Sequence, residues 1–310
     1  MGNYSDAAIT VLRERYLKKD EDGNVIETPD ERMESVARHI ASAEDAYPNG
    51  KYTSEQAAEL FAELLKSRKF LPNTPTLANA GKNNHTLSGC FVIPIEDSLE
   101  SIYDALKKQG LIQAAGGGVG MSFSNLRSSG SRVKSTHGIS SGPISFLRIF
   151  DSSTNEIKQG GVRRGANLGA LDVSHPNIFD FITCKIDGGI TNFNISVGVN
   201  DAFMLAVREN STYTLVDPHD KKETVVPARK IWDAIIDAAW KTGDPGLLFL
   251  DRANRGTPNP VPKYGPIQTS NPSMPAGVLV GTRNGIFPIE SLEGKIFQVK
   301  TLSGFWADAE

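Results

Sequence analysis

The chain has 310 residues, of which 33 are basic and 36 are acidic, so its formal net charge is −3. That length corresponds to one or two domains, and 39% hydrophobic with 22% charged residues is typical of globular rather than disordered proteins. No stretch approaches the roughly 18 uninterrupted apolar residues of a membrane helix, and the start of the chain lacks the apolar core of a secretory signal. The mild net acidity argues against nucleic-acid binding through bulk charge.

The first seventy residues are predicted to be helical. Residues 28–31, Thr-Pro-Asp-Glu, form a capping box with proline at the first helical position. Apolar residues then recur at helical spacing from Met33 to Ala41, and a second stripe of the same spacing follows Thr53. Both stripes indicate core packing rather than chemistry.

From Phe70 onward, short strand-like runs alternate with helical stretches. The pattern predicts strands at 90–94, 194–199 and 247–250, and helices at 98–109, 176–183 and 228–241. Alternation of this kind is typical of an α/β architecture with a largely parallel sheet or barrel. The last 38 residues, 273–310, instead suggest β structure around a turn at Asn284-Gly285, so we place a boundary at Pro272/Ser273.

Only two cysteines occur, Cys90 and Cys184, which excludes a disulfide scaffold and a four-cysteine zinc site. This usage indicates a reducing cytoplasm, where we expect the protein to be located. Cys90 follows a glycine at the start of a strand, so it either faces a cavity or is a buried structural thiol. Cys184 follows a helical run, where a buried structural thiol is the favoured interpretation. The five histidines are scattered and show no metal-binding spacing.

Two glycine-rich segments are candidates for phosphate or base contact. Residues 116–120, Gly-Gly-Gly-Val-Gly, match neither a P-loop nor a dinucleotide fingerprint, and by themselves they predict a tight loop. Residues 158–165 place one glutamine and three cations on a glycine-containing turn, which suits base and phosphate contact or, equally, a solvated basic turn.

Together, several ordered segments resemble the catalytic subunit of ribonucleotide reductase, in particular its adenosylcobalamin-dependent class. The segments are FLPNTPTLANAG at 70–81, SGC at 88–90, GGGVGMSFSNLR at 116–127, KQGGVRRGAN at 158–167, NFNISVGV at 192–199, GDPGLLFLDR at 243–252 and TSNP at 269–272. The resemblance implies an α/β fold with an N-terminal helical domain at 1–69. The first half of a ten-stranded α/β barrel follows at 70–272, and a short β-rich tail occupies 273–310.

The resemblance also implies roles for individual residues. Cys90 corresponds to one of two thiols that reduce the ribonucleotide and become a disulfide, and Asn271 belongs to the Asn-Pro pair that precedes the radical-carrying cysteine. The positions implied to contact the substrate are Thr74, Ser88, Gly117 and Gly118. Asp97 and Arg127 are implied to hold a deoxynucleoside triphosphate effector. The residues implied to relay effector identity to the substrate base are Lys158, Gln159 and Arg163. Adenosylcobalamin as cofactor, a thioredoxin-like reductant and a homodimer are implied in the same way.

The sequence departs from the family after Asn271-Pro272, where Ser273 stands in place of the radical-carrying cysteine. A serine O–H bond is too strong to replace a thiol in this role. The glutamate acid/base, the second reducing cysteine and the second half-barrel are also absent from this sequence. We therefore expect the chain by itself not to reduce nucleotides.

Residues 273–310 resemble the opening of an intein, with Ser273 as the nucleophile that attacks the Pro272 carbonyl. The expectation is a split intein that splices in trans with a complementary chain carrying the rest of the intein and of the reductase. The alternative is a non-catalytic, nucleotide-binding reductase fragment whose tail is engineered, frameshifted or blocked in splicing by a Cys-to-Ser change.

Overall fold

The structure is a computed structural model that divides the chain into two compact units, Met1–Pro272 and Ser273–Glu310. The residues that it describes are 4–82, 86–132, 138–157, 166–256, 259, 262–270, 279–282, 285–288, 297–300 and 306–309. Within this described part of the chain, no helix is both long and apolar enough to cross a membrane.

The first unit begins with α1 (Asp6–Arg15), α2 (Pro29–Ala41), α3 (Ser54–Lys66) and α4 (Thr74–Asn79). The two predicted apolar stripes lie on α2 and α3. Both predicted caps are present: the Thr28 side chain accepts a hydrogen bond from the N–H of Glu31, and Thr53 accepts one from the N–H of Gln56. The buried faces of the helices form a small separate core that includes Met33, Val36, Leu65 and Leu77.

A five-stranded parallel sheet forms the centre of the rest of this unit. In spatial order its strands are β1 (Cys90–Ile93), β2 (Gly118–Ser122), β3 (Asn167–Asp172), β4 (Phe193–Val199) and β7 (Gly246–Phe249). The connecting helices are α5 (Leu99–Ala114), α6 (Pro143–Glu156), α7 (Ile178–Thr183), α8 (Asp201–Arg208) and α9 (Ala228–Thr242), and α10 (Leu250–Asn254) follows β7. Strands β5 (Thr212–Val216) and β6 (Glu223–Pro227) form an antiparallel hairpin.

The core lies between this sheet and its helices. The residues of the inner strands β3 and β4 are mostly buried on both faces, as expected inside a parallel sheet. The Phe123 ring meets Phe150 edge to face, with ring centroids 5.8 Å apart. The Phe193 ring also packs edge to face against Phe123, with ring centroids 6.4 Å apart. The predicted sequence of a helical segment followed by an α/β segment is confirmed.

Several details of the predicted elements are wrong. Helix α5 continues to Ala114 instead of ending at Gln109, because Gln113 on the added turn is buried against α6 and β3. Leu250 begins α10 rather than ending a strand. The glycine run is a tight loop only at Gly116 (φ +90°), since Gly118 already pairs in β2.

The tail unit is β-rich, as predicted, and its strands are β8 (Leu279–Thr282), β9 (Gly285–Pro288), β10 (Phe297–Lys300) and β11 (Trp306–Ala309). They form an antiparallel sheet in the order β11-β10-β8-β9. Strands β8 and β9 pair with Thr282 opposite Gly285, whereas Asn284 of the predicted turn lies outside the described residues.

Candidate functional site

Cys90 lies at the amino end of the edge strand β1, next to the glycine run of β2. The strand register sets Cys90 opposite Gly118, and the N–H of Gly118 donates to the Gly89 carbonyl oxygen at 2.8 Å. The Ser88 hydroxyl donates to the Cys90 carbonyl oxygen at 3.3 Å. The backbone hydrogen bonds of two strands therefore fix the thiol, the hydroxyl and the glycines beside one another.

The amino end of α4 is fastened to the same place. The side chains of Asn73 and Thr76 both donate to the Leu87 carbonyl oxygen, at 3.3 Å and 2.8 Å. Pro75 packs so closely that a Cβ built on Gly89 would lie 3.2 Å from its Cγ. Thr74, between these contacts, is exposed. The structure thus brings together five predicted site residues: Thr74, Ser88, Cys90, Gly117 and Gly118.

Gly117 has a packing reason to be glycine besides its predicted contact with substrate. A Cβ at this position would lie 2.6 Å from Ile112 Cγ2 and 2.9 Å from Phe91 Cε2. A larger residue here would displace the end of α5 or strand β1, so the glycine is required even without a ligand. Its predicted substrate contact stays a prediction.

Asp97 and Arg127, predicted as an effector pair, form a close ion pair 30 residues apart. Arg127 Nε lies 2.9 Å from Asp97 Oδ2 and 3.1 Å from Oδ1, and Nη2 lies 2.9 Å from Oδ2. The backbone N–H of Arg127 also donates to Oδ1 at 3.2 Å. Both side chains are mostly buried, so the pair is a fixed, directional arrangement rather than a surface contact.

Sequence reasoning missed two residues beside this pair, and both lie in the turn of the β5–β6 hairpin. His219 Nδ1 lies 3.4 Å from Asp97 Oδ2. Asp217, 2% exposed, accepts hydrogen bonds from the backbone N–H groups of Ser128, His219 and Asp220 and from the Ser131 hydroxyl. The Asp-Pro sequence at 217–218 indicates a turn, but no local signal connects that turn with Asp97.

The hydrogen bonds to Asp217 decide its ionisation. Burial acts to raise the pKa of its carboxyl group, but hydrogen bonds from Ser128, His219 and Asp220 outweigh burial and hold the pKa well below its usual range. Asp217 is therefore a carboxylate at neutral pH and a stable anchor for the segment that follows β2.

The two clusters lie at opposite ends of the parallel strands. Cys90 begins β1, whereas Asp97 follows the carboxyl end of β1 and Arg127 follows that of β2. Helix α5 starts just after Asp97, and its 16 residues span about 24 Å back towards the glycine run. One helix thus connects the predicted effector pair with the predicted substrate edge.

Cys184 has the character of a structural thiol. It ends α7, forms no disulfide with Cys90 and packs against the main core. Burial raises the pKa of its thiol to about 11, so little thiolate exists at neutral pH. Among the described residues, no group of three or more His, Cys, Asp or Glu side chains is arranged to hold a metal ion.

Five predicted site residues lie outside the described residues. They are Lys158, Gln159 and Arg163 of the basic glycine-containing segment, together with Asn271 and Ser273 at the start of the tail. Their roles stay predictions.

Comparison with known proteins places both segments of the first unit in one family. A family model described as the ribonucleotide reductase all-alpha domain matches residues 2–85, and one described as the ribonucleotide reductase barrel domain matches residues 88–274. The five parallel strands thus form part of a barrel, as expected.

Individual relatives agree. A protein of Mycobacterium tuberculosis named vitamin B12-dependent ribonucleoside-diphosphate reductase is 51% identical over 269 residues, which cover 86% of this chain and 38% of the relative. A protein of Thermoplasma acidophilum with the same name is 42% identical and covers 86% of this chain and 42% of its own length. A large subunit of ribonucleoside-diphosphate reductase from Invertebrate iridescent virus 6 is 31% identical over 311 residues. The chain therefore spans less than half the length of these relatives, and it belongs to the ribonucleotide reductase family.

Proposed function

We propose that this chain is the N-terminal part of an adenosylcobalamin-dependent ribonucleotide reductase, which converts ribonucleotides to 2′-deoxyribonucleotides for DNA synthesis. The observation that carries the proposal is the position of Cys90 beside Gly117, Gly118, Ser88 and Thr74 in a chain of this family. The names of the M. tuberculosis and T. acidophilum relatives favour a ribonucleoside diphosphate as substrate.

The chemistry of this edge suits the proposal. Small hydroxyl side chains and closely spaced backbone N–H groups are suited to binding phosphate and ribose oxygens. Cys90 supplies one of the two thiols that, on becoming a disulfide, deliver two electrons as the 2′-hydroxyl leaves as water. The second thiol and the radical-carrying cysteine are not among the two cysteines of this sequence. The chain alone is therefore proposed to be inactive.

Adenosylcobalamin, when bound, supplies the radical that initiates such a reaction. The described residues around Cys90 offer a thiol, hydroxyl groups and backbone N–H groups, which suit a nucleotide. We therefore assign to this chain the substrate edge and one reducing thiol.

The Asp97–Arg127 pair is proposed to bind a deoxynucleoside triphosphate effector. An arginine fixed by a carboxylate is a rigid donor for phosphate oxygens, and the carboxylate can accept a ribose hydroxyl. The segment with Lys158, Gln159 and Arg163 is proposed to relay effector identity to the substrate base. Two protein partners are proposed for the reductase. They are a thioredoxin-like reductant in the cytoplasm, where thiols stay reduced, and a second copy of the reductase.

The tail, residues 273–310, is proposed to be the N-terminal segment of an intein, with Ser273 as the splicing nucleophile. Its β-rich fold and its separation from the first unit support this assignment. A complementary chain would carry the remainder of the intein and of the reductase, and trans splicing would join the two reductase parts.

Splicing is tested by mixing the chain with the complementary polypeptide and weighing the products by mass spectrometry. A ligated product that lacks residues 273–310 is expected, and Ser273→Ala should abolish it while leaving the first unit folded. If the wild-type mixture yields no ligated product, the intein assignment fails and the non-catalytic fragment with an unrelated tail becomes the better interpretation.

Reduction is tested on the completed protein, with adenosylcobalamin, a dithiol reductant and each ribonucleoside diphosphate. Product formation should require the cofactor and be lost in Cys90→Ser, whereas the matched Cys184→Ser should retain it. Equal activity in both variants would contradict the role assigned to Cys90.

A further inference from the structure

Four buried polar side chains form a cluster between α5, α6 and β3, and we call it the amide cluster. Its members are Gln109 and Gln113 on α5, Thr154 on α6 and Asn167 on β3. Gln109 and Gln113 are fully buried, and Asn167 and Thr154 are 1% and 4% exposed. None of them belongs to the substrate edge or to the Asp97–Arg127 pair.

Direct hydrogen bonds connect all four members. Gln109 Nε2 and Gln113 Nε2 both donate to Asn167 Oδ1, at 2.9 Å and 2.8 Å, and both donate to the Thr154 hydroxyl oxygen, at 3.0 Å and 3.2 Å. Asn167 Nδ2 lies 2.9 Å from the same hydroxyl oxygen, which can accept two of these three N–H groups at a time, and it donates to the Asn192 carbonyl oxygen at 3.1 Å. The orientation of α5 is therefore tied to two other elements at one point.

The two other elements, α6 and β3, are joined by a single connection, and the cluster residues lie at its two ends. Thr154 lies in the last turn of α6, and Asn167 is the first residue of β3. Between them run residues 158–165, which contain the predicted base-reading side chains and lie outside the described residues. The amide cluster thus holds both ends of the α6–β3 connection to α5.

A second contact joins α5 to the same connection. Gly110 lies within α5, where glycine is less favourable than alanine. A Cβ at this position would lie 3.2 Å from Cδ1 of Ile157, the residue that ends α6. The glycine lets the end of α6 approach α5 closely.

The hydrogen bonds of the amide cluster are not all used: one acceptor lacks a donor within the described part of the chain, and one hydroxyl group has a choice of acceptors. Gln109 Oε1 is buried and has no hydrogen-bond partner among the residues that the structure describes, an arrangement that is unfavourable for a polar atom. The Thr154 hydroxyl has two acceptors within reach, the Phe150 carbonyl oxygen at 3.0 Å and Gln113 Oε1 at 3.4 Å. The Thr154 hydroxyl can therefore donate either within α6 or to α5.

We propose that the amide cluster is the positioning element through which α5, beginning beside the Asp97–Arg127 pair, sets both ends of the α6–β3 connection. This inference rests on the proposed function, because it assigns to the cluster the coupling between effector binding and the choice of substrate base. Its members act through the connection, so they are positioning residues and not catalytic ones.

The test uses the completed reductase and the variant Thr154→Val, which keeps the side-chain shape and removes the hydroxyl group. Its matched control is Thr183→Val. Like the Thr154 hydroxyl, the Thr183 hydroxyl donates to the carbonyl oxygen four residues earlier in its helix, at 3.0 Å, but Thr183 is not a member of the amide cluster. The readouts are the effector dissociation constant and the ratio of kcat/KM between substrates with and without effector.

We expect Thr154→Val to bind effector within about twofold of wild type, yet to lose at least about tenfold of the effector-induced substrate discrimination, a change of about 1.4 kcal/mol. Thr183→Val should retain the discrimination. Unchanged discrimination in folded Thr154→Val would overturn the inference. If Thr154→Val does not fold, Gln113→Met, which leaves the Thr154–Asn167 contact intact, decides by the same readouts. Absence of any nucleotide reduction by the wild-type protein would instead refute the proposed function itself.

Discussion

Asp217 Oδ2 accepts a hydrogen bond from the backbone N–H of Ser128 at 2.9 Å, across 89 positions of the sequence. This contact fastens the turn of the β5–β6 hairpin to the segment after β2, directly next to Arg127. The same turn brings His219 to Asp97. The Asp97–Arg127 pair is therefore supported by a third element that the resemblance to the family did not single out.

We predict that Asp217→Asn lowers the free energy of unfolding by about 1.5–3 kcal/mol, because hydrogen bonds to a buried carboxylate are replaced by weaker ones to an amide. The matched control is Asp220→Asn in the same turn, whose carboxylate accepts only the Lys222 N–H among the contacts found there. Urea unfolding at neutral pH measures both.

The pH dependence of the same variant is a further check. The pKa of Asp217 is lowered in the folded chain, so its stabilisation is present above the ordinary value of 3.8 and is lost as the pH falls below it. The difference between wild type and Asp217→Asn should therefore shrink as the pH falls below 3.8. A difference that stays constant there would contradict the assignment.

Effector binding should depend on the Asp97 carboxylate. Asp97→Asn removes the charge that holds the Arg127 guanidinium, so we expect deoxynucleoside triphosphates to bind at least about tenfold more weakly. Asp104→Asn is the control, because Asp104 forms an exposed ion pair with Lys108 on α5. Calorimetric titration of the chain gives both dissociation constants, and equal affinities would remove Asp97 from the site.

The two thiols should differ in reactivity. With a pKa of about 11, Cys184 has about one thiolate per thousand molecules at pH 8, which predicts slow alkylation. We expect iodoacetamide to label Cys90 first, as measured by peptide mass spectrometry over time. Preferential labelling of Cys184 in the folded chain would show that it is not the buried structural thiol described above.

Lys82 should make the stability of the helical segment depend on pH. Burial, together with the Arg32 guanidinium, lowers the pKa of Lys82 to about 8 from 10.5, and its ammonium group donates to the Tyr16 carbonyl oxygen at 2.6 Å. Between these pH values the folded chain binds fewer protons than the unfolded chain, so stability should rise with pH.

The measurement compares wild type with Lys82→Met by urea unfolding at about pH 8 and about pH 10.5. The free energy of wild type should increase relative to the variant over this range. Lys69→Met, at an exposed lysine, should show no such trend. A parallel shift in all three proteins would argue against Lys82 as the titrating group.

Local sequence signals were sufficient for helices α2 and α3 and for the class of the sheet. The capping boxes at Thr28 and Thr53 and the apolar stripes specify where helices begin and which face is buried, because both effects act within a few residues. Alternation of strands and helices likewise specified parallel pairing. The glycine run was misjudged, since the pairing of Gly118 in β2 with Cys90 depends on strand β1, 28 residues earlier.

The sequence by itself therefore determined helices such as α2, α3 and α9, the alternation of strands and helices, and the resemblance to the reductase family. Only the tertiary structure decided that Asp217 supports Arg127, that Gly117 is required by Ile112 and Phe91, and that Gln109 and Gln113 meet Asn167. These contacts join residues far apart in the chain, and their partners are selected by the packing of buried elements rather than by any local preference. A buried polar group needs a partner, but only the folded chain decides which one it meets.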